Sequence, residues 1–207
     1  IDNREEYNCA LKDLAVYLKE YKNKTDAEIR RSMRGEVMVR IGVLKQIAAR
    51  GKIAAVTEFI KDTIASGEKV VLFGHHKEIL QEIKNEFNTV SIMGSDNSEQ
   101  RNAALQKFQT DPDCKIIVCS IMAAGVGLTL TAGRIISFVE MGWHPAIMEQ
   151  AEDRGHRIGA KKDVHCIYFL AENTIDIWIY NLIEKKRKIS DSVTLSNTDI
   201  EWSIVYD

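Results

Sequence analysis

Apolar positions follow two rhythms along the chain. Up to Gly67 they recur at helical spacing. Tyr7, Leu11, Leu14, Ala15 and Leu18 mark a first helix, and Met33, Val37, Ile41, Leu44 and Ala48 a second, with Gly51 as its stop. Ile53, Val56, Ile60 and Ile64 predict a third, ended by Ser66-Gly67. From Lys69 onwards, short apolar runs alternate with helical stretches. Val70-Val71-Leu72-Phe73, Val90 to Met93, Ile116-Ile117-Val118, Ile135 to Val139 and Val164 to Leu170 read as strands. Between and after them, Ile79 to Phe87, Ala104 to Phe108, Ala146 to Arg157 and Ile175 to Ile183 read as helices, with Pro145 well placed in a first turn. Strands without polar alternation, separated by helices, predict a parallel sheet covered on both faces. The expected fold is therefore three-layer α/β with a mostly parallel sheet over residues 68–190. A helical subdomain over 1–67 precedes it and a tail over 191–207 follows.

Charge adds local detail only. With 28 Lys and Arg against 30 Asp and Glu, the formal net charge is -2, so any case for nucleic acid must rest on motifs. From Lys22 to Lys52, however, nine basic residues (Lys22, Lys24, Arg30, Arg31, Arg34, Arg40, Lys45, Arg50, Lys52) outnumber three acids by six. That stretch suits a DNA backbone or an acidic partner, and equally a solvated helical face. The Lys185-Lys186-Arg187-Lys188 run reads as cations at a helix C-terminus. No apolar run reaches the roughly 20 residues of a membrane helix, and no membrane partner is expected. The 4 cysteines form no C-x-x-C and no ligand set with the 5 histidines. Reduced, mostly buried thiols in an intracellular protein are expected, and no metal site. Because the first residue is Ile1, an upstream partner is expected.

In an open parallel sheet, ligands are met at the carboxyl ends of the strands. The distinctive residues fall there: Gly74-His75-His76-Lys77, Gly94-Ser95 followed by Arg101, Ser120 followed by Ala123 to Thr129, and Gly142-Trp143-His144-Pro145. Gln150, Arg154 and Arg157 are spaced to share one helix face. Two guanidiniums on a rigid helix suit phosphate oxygens, although pairs Asp153–Arg157 and Glu152–His156 on a solvated face would explain the same residues.

The string Gln150 to Gly159, Q-A-E-D-R-G-H-R-I-G, resembles motif six of Swi/Snf-type ATPases, a branch of superfamily two helicases; Ala160 stands where the family pattern ends in Gln. A-A-G-V-G-L-T-L-T-A resembles motif five, and Trp143 to Pro145 resembles the family's W-N-P, with His144 for Asn. Gly94-Ser95 with Arg101 and Phe108 resembles motif four-a, and F-G-H-H-K-E-I-L resembles motif four of the HepA-related annealing helicases. The resemblance covers about residues 50 to 190 and implies the second RecA-like lobe of a duplex-DNA translocase. It makes Arg157 the arginine finger on the γ-phosphate of ATP, with Arg154 beside it. Gln150, Gly125 and Gly127 would shape the nucleotide cleft. His75, His76, Lys77, Gly94, Ser95, Ser120, Thr129 and Trp143 would face DNA phosphates.

Plainer readings stand beside these. Trp143 could be a packed aromatic, His75 and His76 a structural pair, Gly125 and Gly127 turn formers, and His156 a brace. A stand-alone nucleic-acid-binding module is the alternative function. The sequence has no G-x-x-x-x-G-K-[ST] and no D-E-x-H box, so the phosphate loop and the Mg2+-binding acid are expected on a first lobe supplied elsewhere. A monomer is expected. The compact lobe, without large insertions, points to a bacterial or phage origin and a cytoplasmic rather than nuclear location. The purified chain is expected to show no steady ATP turnover, checked by phosphate release with an Arg157→Ala control to exclude contaminants.

Overall fold

The computed structural model describes residues 1–14, 16–17, 24–25, 36–126, 130–153 and 164–195. Five strands form one sheet: β1 (Val70–Gly74), β2 (Val90–Ile92), β3 (Ile116–Ser120), β4 (Ile135–Phe138) and β5 (His165–Tyr168). Their order is β2-β3-β1-β4-β5, and every pairing is parallel, so the sheet expected to be mostly parallel is wholly so. Among the described residues the helices are α1 (Arg4–Lys12), α2 (Glu36–Arg50), α3 (Ile53–Ala65), α4 (Lys77–Glu86), α5 (Ser98–Thr110), α6 (Pro145–Glu152) and α7 (Ile175–Leu195). A 3-10 segment, Ile121–Val126, follows β3.

The pleat divides the strand residues between two cores. Val71, Phe73, Ile117, Cys119, Ile136 and Phe138 face one side, with Phe108 of α5, Met148 of α6 and Ile179 and Ile183 of α7. Val70, Leu72, Ile116 and Val118 face the other, with Val56 and Ile60 of α3 and Ile79, Leu80 and Ile83 of α4. Both faces being dry explains why the strands read as unbroken apolar runs. The connection leaving β1 crosses one face through α4, and those leaving β3 and β4 pass over the other. The sheet's switch point therefore lies at the carboxyl end of β1, where such sheets open a crevice.

Three sequence expectations need correction. The first helix is not continuous to Leu18, because Asp13 is extended (φ -144, ψ 103) and caps a new turn. Its carboxylate accepts the Val16 N–H at 3.1 Å and its carbonyl accepts the Tyr17 N–H. The Lys185 to Lys188 run does not end a helix, because α7 continues to Leu195. Of the cysteines, Cys114 and Cys119 are buried, but Cys9 is half-buried and Cys166 exposed. Helix α6 is described to Glu152, and the expected continuation to Arg157 lies outside the described residues.

Helices α1 and α2, with Leu14 and Tyr17 from the turn after α1, form a third core of Tyr7, Ala10, Leu14, Tyr17, Leu44, Ile47 and Ala48, against which Ile175 of α7 packs. The Tyr7 hydroxyl accepts the Ile175 N–H at 2.6 Å. Lys52, between α2 and α3, ties this part to the sheet. The residue is 6% exposed, and its ammonium donates to the carbonyls of Val139 at 2.6 Å and Phe169 at 2.8 Å, and to Asp176 Oδ2 at 2.6 Å. Three acceptors match the three donors of an ammonium. Asp176 also accepts the Ala171 N–H at 3.1 Å. Removing one member of a buried pair strands the other charge, so Asp176→Ala is expected to lower unfolding free energy by about 3–5 kcal/mol in urea titrations. A loss within about 1 kcal/mol, the range of exposed pairs, would refute this account.

Candidate DNA and nucleotide interface

The loops after the strands meet at one edge of the sheet. Immediately after β1, the buried Glu140 carboxylate organises His75 and His76. Its Oε2 accepts the backbone N–H of His75 at 2.9 Å and of His76 at 2.8 Å, and its Oε1 meets His76 Nδ1. Burial by itself would raise this carboxyl's pKa. The His76 ring, by hydrogen bond and charge, and the two backbone N–H groups outweigh burial and hold it below the ordinary glutamate value. Gly74 permits the approach: a Cβ there would stand 2.6 Å from Leu80 Cδ2 and 3.5 Å from Glu140 Oε2. The His76 ring is thus fixed inward, whereas His75 and Lys77 are exposed. Burial and the nearby Lys45 ammonium push the His75 pKa down, which favours a neutral ring.

After β2, Gly94 and Ser95 are exposed, and nothing lies within 4 Å of where a Gly94 Cβ would be. Arg101 Nη2 donates to the Gly94 carbonyl at 3.2 Å. The Asn97–Gln100 capping box starts α5 there, each side chain accepting the other's backbone N–H at 2.9 Å. After β3, Ser120 is half-buried and Met122 is 61% exposed. Gly125 lies within the 3-10 segment; Gly127 and Thr129 fall outside the described residues.

After β4 the chain makes the turn carrying Trp143. Lys45 of α2 is 3% exposed; it donates to the Met141 carbonyl at 2.7 Å and its Nζ sits 5.1 Å from the Trp143 ring centre. His144 and Pro145 then open α6, and Gln150 is exposed on it. Arg187 of α7 holds the end of α6, approaching Glu152 at 2.5 Å and Glu149 at 3.7 Å. Glu152 also accepts the Tyr168 hydroxyl. The alternative pair Glu152–His156 involves a residue outside the described ones. Arg154, His156 and Arg157 themselves lie outside the described residues.

The structure thus brings His75, His76, Lys77, Gly94, Ser95, Ser120 and Trp143 to the carboxyl ends of the strands, whereas Gln150 stands in the last turn of α6. It also revises the basic stretch. Lys45 and Lys52 are buried and hold carbonyls, and Arg50 is paired with Glu6, so these three are not presented to a DNA backbone. Lys22, Arg30, Arg31 and Arg34 lie outside the described residues. Glu140 and Lys45 escaped the sequence reading as site residues. Their signals were an acid directly ending an apolar strand and a lysine beside Leu44 within an apolar helix stripe. Among the described residues no group of three His, Cys, Asp or Glu side chains could hold a metal ion.

Because Glu140's folded pKa is depressed, its stabilisation is full above the ordinary glutamate value of about 4.3 and is lost as pH falls through the lower folded value. Glu140→Gln is expected to be less stable than the wild type at neutral pH, with the gap closing on acidification. Urea midpoints measured for both proteins from neutral to acid pH check this, and a gap independent of pH would refute it.

A family model of the helicase conserved C-terminal domain matches residues 51–159. The Caenorhabditis elegans protein named SWI/SNF-related matrix-associated actin-dependent regulator of chromatin subfamily A-like protein 1 homolog is 38% identical over 155 residues, 70% of this chain and 22% of that protein. Human DNA annealing helicase and endonuclease ZRANB3 is 36% identical over 156 residues, 72% of this chain and 14% of that protein. The C-terminal part of the Fun30 ATPase domain superposes with a TM-score of 0.59 at 27% identity, over 64% of this chain and 45% of that one. The Sulfolobus solfataricus SWI2/SNF2 ATPase core in complex with dsDNA gives 0.66 over 93% of this chain and 44% of that one; at 24% identity it bears on the fold alone. The chain spans about a fifth or less of the length of these curated relatives. They are animal proteins, one named as a regulator of chromatin, which overturns the expected bacterial or phage cytoplasmic origin. The aligned stretch runs 155 residues in an animal protein, so a compact lobe does not report the host. The chain belongs to the helicase conserved C-terminal domain family and is the C-terminal, RecA-like lobe of a Swi/Snf-type helicase.

Proposed function

We propose that the chain is the second motor lobe of an ATP-dependent translocase or remodelling helicase that acts on double-stranded DNA as a monomer. Residues 68–190 form the motor lobe, 1–67 a helical extension and 191–207 a tail. The first lobe supplies the phosphate loop and the magnesium-binding acid, and ATP lies between the lobes. This chain supplies Arg157 to the γ-phosphate, with Arg154 beside it. Gln150, Gly125 and Gly127 shape its side of the cleft. His75, Lys77, Gly94, Ser95, Ser120, Thr129 and Trp143 grip the backbone without reading sequence, while His76 holds their turn from inside through Glu140.

The observation that supports this reading is the convergence at one sheet edge. The exposed Lys77, Gly94 and Ser95 share it with the start of the helix leading to Arg154 and Arg157. Backbone contact and nucleotide contact on one edge let closure of the lobes on ATP shift the grip on DNA. An arginine finger acts on charge in the transition state, so its loss lowers turnover far more than nucleotide affinity. In the two-lobe enzyme Arg157→Ala is expected to cost roughly 10³–10⁵ in DNA-stimulated turnover. Arg157→Lys should rescue poorly, because an ammonium lacks the planar fork. Turnover and ATP affinity of the three proteins decide the matter, and near-normal turnover in Arg157→Ala would remove this assignment.

A further inference from the structure

Lys45 is a charge that the fold buries at a cost. It lies on α2 next to Leu44 of the third core, and the residue is 3% exposed. Its ammonium donates to the Met141 carbonyl at 2.7 Å and sits 5.1 Å from the Trp143 ring centre. Lys52, further along the chain, ends its three donors on two carbonyls and a carboxylate. Lys45 has one such acceptor and no ion pair among the described residues. Burial pushes its pKa down; Glu140 and Asp176 pull it back only in part, and Lys52 adds to the fall. Even well-paired buried charges can give way to apolar side chains without loss of stability, and Lys45 is less well matched than those. Packing therefore does not account for the charge. What the ammonium adds is a hold on one carbonyl and one indole.

That hold falls on a turn tied at each residue from Val139 to Trp143. The Val139 carbonyl is held by Lys52, the Glu140 carboxylate by the His75 and His76 backbone, and the Met141 carbonyl by Lys45. The Gly142 N–H meets Met148 Sδ at 3.1 Å. Trp143 completes the series, and its indole is half-buried. The Trp178 ring stands edge-on to it, the ring centres 6.4 Å apart. The Trp143 ring thus has a cation and an aromatic edge as neighbours, and part of it is left open. Cation–π attraction is strongest where the cation is desolvated, as Lys45 is. An indole has two side-chain torsions to fix, and a buried point charge near its ring selects among their settings. Lys45 is also close enough to His75 to push that ring's pKa down. One ammonium therefore stands near both the turn after β1 and the turn after β4.

We propose that Lys45 is a positioning residue for the DNA grip: its ammonium, carried on the helical extension, holds the Trp143 indole in the orientation that meets the backbone. The inference rests on the motor-lobe reading and deepens it, because α2 then takes part in the grip as well as in the packing.

A double-variant cycle on this chain tests it, with labelled duplex DNA at low salt and the variants Lys45→Met, Trp143→Leu and the two combined. Lys45→Met keeps an unbranched side chain and removes the charge. It is expected to weaken duplex binding roughly 2- to 30-fold, the span of one cation–π contact, since an orienting contact cannot contribute more than its own energy. Trp143→Leu should weaken binding at least as much. The combined variant should bind as Trp143→Leu does, because Lys45 acts through the indole. The urea midpoint of Lys45→Met should equal or exceed that of wild type. In a Trp178→Phe/Trp202→Phe background, where Trp143 is the one remaining tryptophan, Lys45→Met should make its emission easier to quench with acrylamide. Undiminished duplex binding by Lys45→Met overturns the inference and leaves the motor-lobe reading in place. Losses that add in the combined variant, or unchanged quenching, overturn it too. So does a lowered urea midpoint, which would mark the lysine as a structural tie. No duplex binding by wild type overturns both readings together.

Discussion

The Lys52 ammonium is the point on which the arrangement of this lobe depends. It sits in the dry junction where the ends of β4 and β5 meet the start of α7, and its donors end on Val139, Phe169 and Asp176. A buried cation without acceptors would cost several kcal/mol. The junction is therefore stable only when the two carbonyls and the carboxylate converge, and that convergence fixes where both strands stop. Thr174, whose hydroxyl accepts the Asp176 N–H at 3.2 Å, and Asp176 then set where α7 begins.

From that junction the site is built outwards by the same physics. Glu140 follows Val139 directly, so fixing one carbonyl brings the neighbouring carboxylate under the His75-His76 turn. Lys45, two turns earlier than Lys52 in the chain, reaches the next residue, Met141, and underlies Trp143. The turns after β1 and after β4 are thereby joined through the Glu140 carboxylate, while two lysines hold carbonyls of the segment after β4. Such groups give directional constraint: a carboxylate that accepts three hydrogen bonds has few alternative positions. The loops that face outwards, Gly94-Ser95 and Lys77, can then vary in contact with a polyanion while their anchors stay fixed.

The N-terminal helices consequently belong to the working of the edge. α2 brings Lys45 to the Trp143 turn, and α3 covers one face of the sheet through Val56 and Ile60. α7 does two things at once. Ile179 and Ile183 face the core and Arg187 grips α6, while Trp178, Asn181 and Lys185 face solvent. An amphipathic helix with three kinds of face can join the packing of the lobe to its outer surface.

The sequence by itself determined the strand positions, the parallel three-layer arrangement and the family, because these rest on local signals: dry strands read as apolar runs, and motif six is contiguous from Gln150 to Gly159. It placed the motif loops at the strands' carboxyl ends because parallel topology sends them there. Tertiary structure alone decided what the charges do. Lys45 and Lys52 counted as part of a basic surface in the sequence, yet both are buried and held by groups about ninety or more positions away. Arg187 belonged to a basic run, yet its partners on α6 and within α7 consume it. Formal charge is a property of a residue, whereas its availability depends on distant carbonyls and carboxylates brought near by folding. For the same reason Asp13 could end a helix whose apolar spacing ran on: a side chain that accepts a backbone N–H two or three residues ahead competes locally with the helix, and periodicity does not register it.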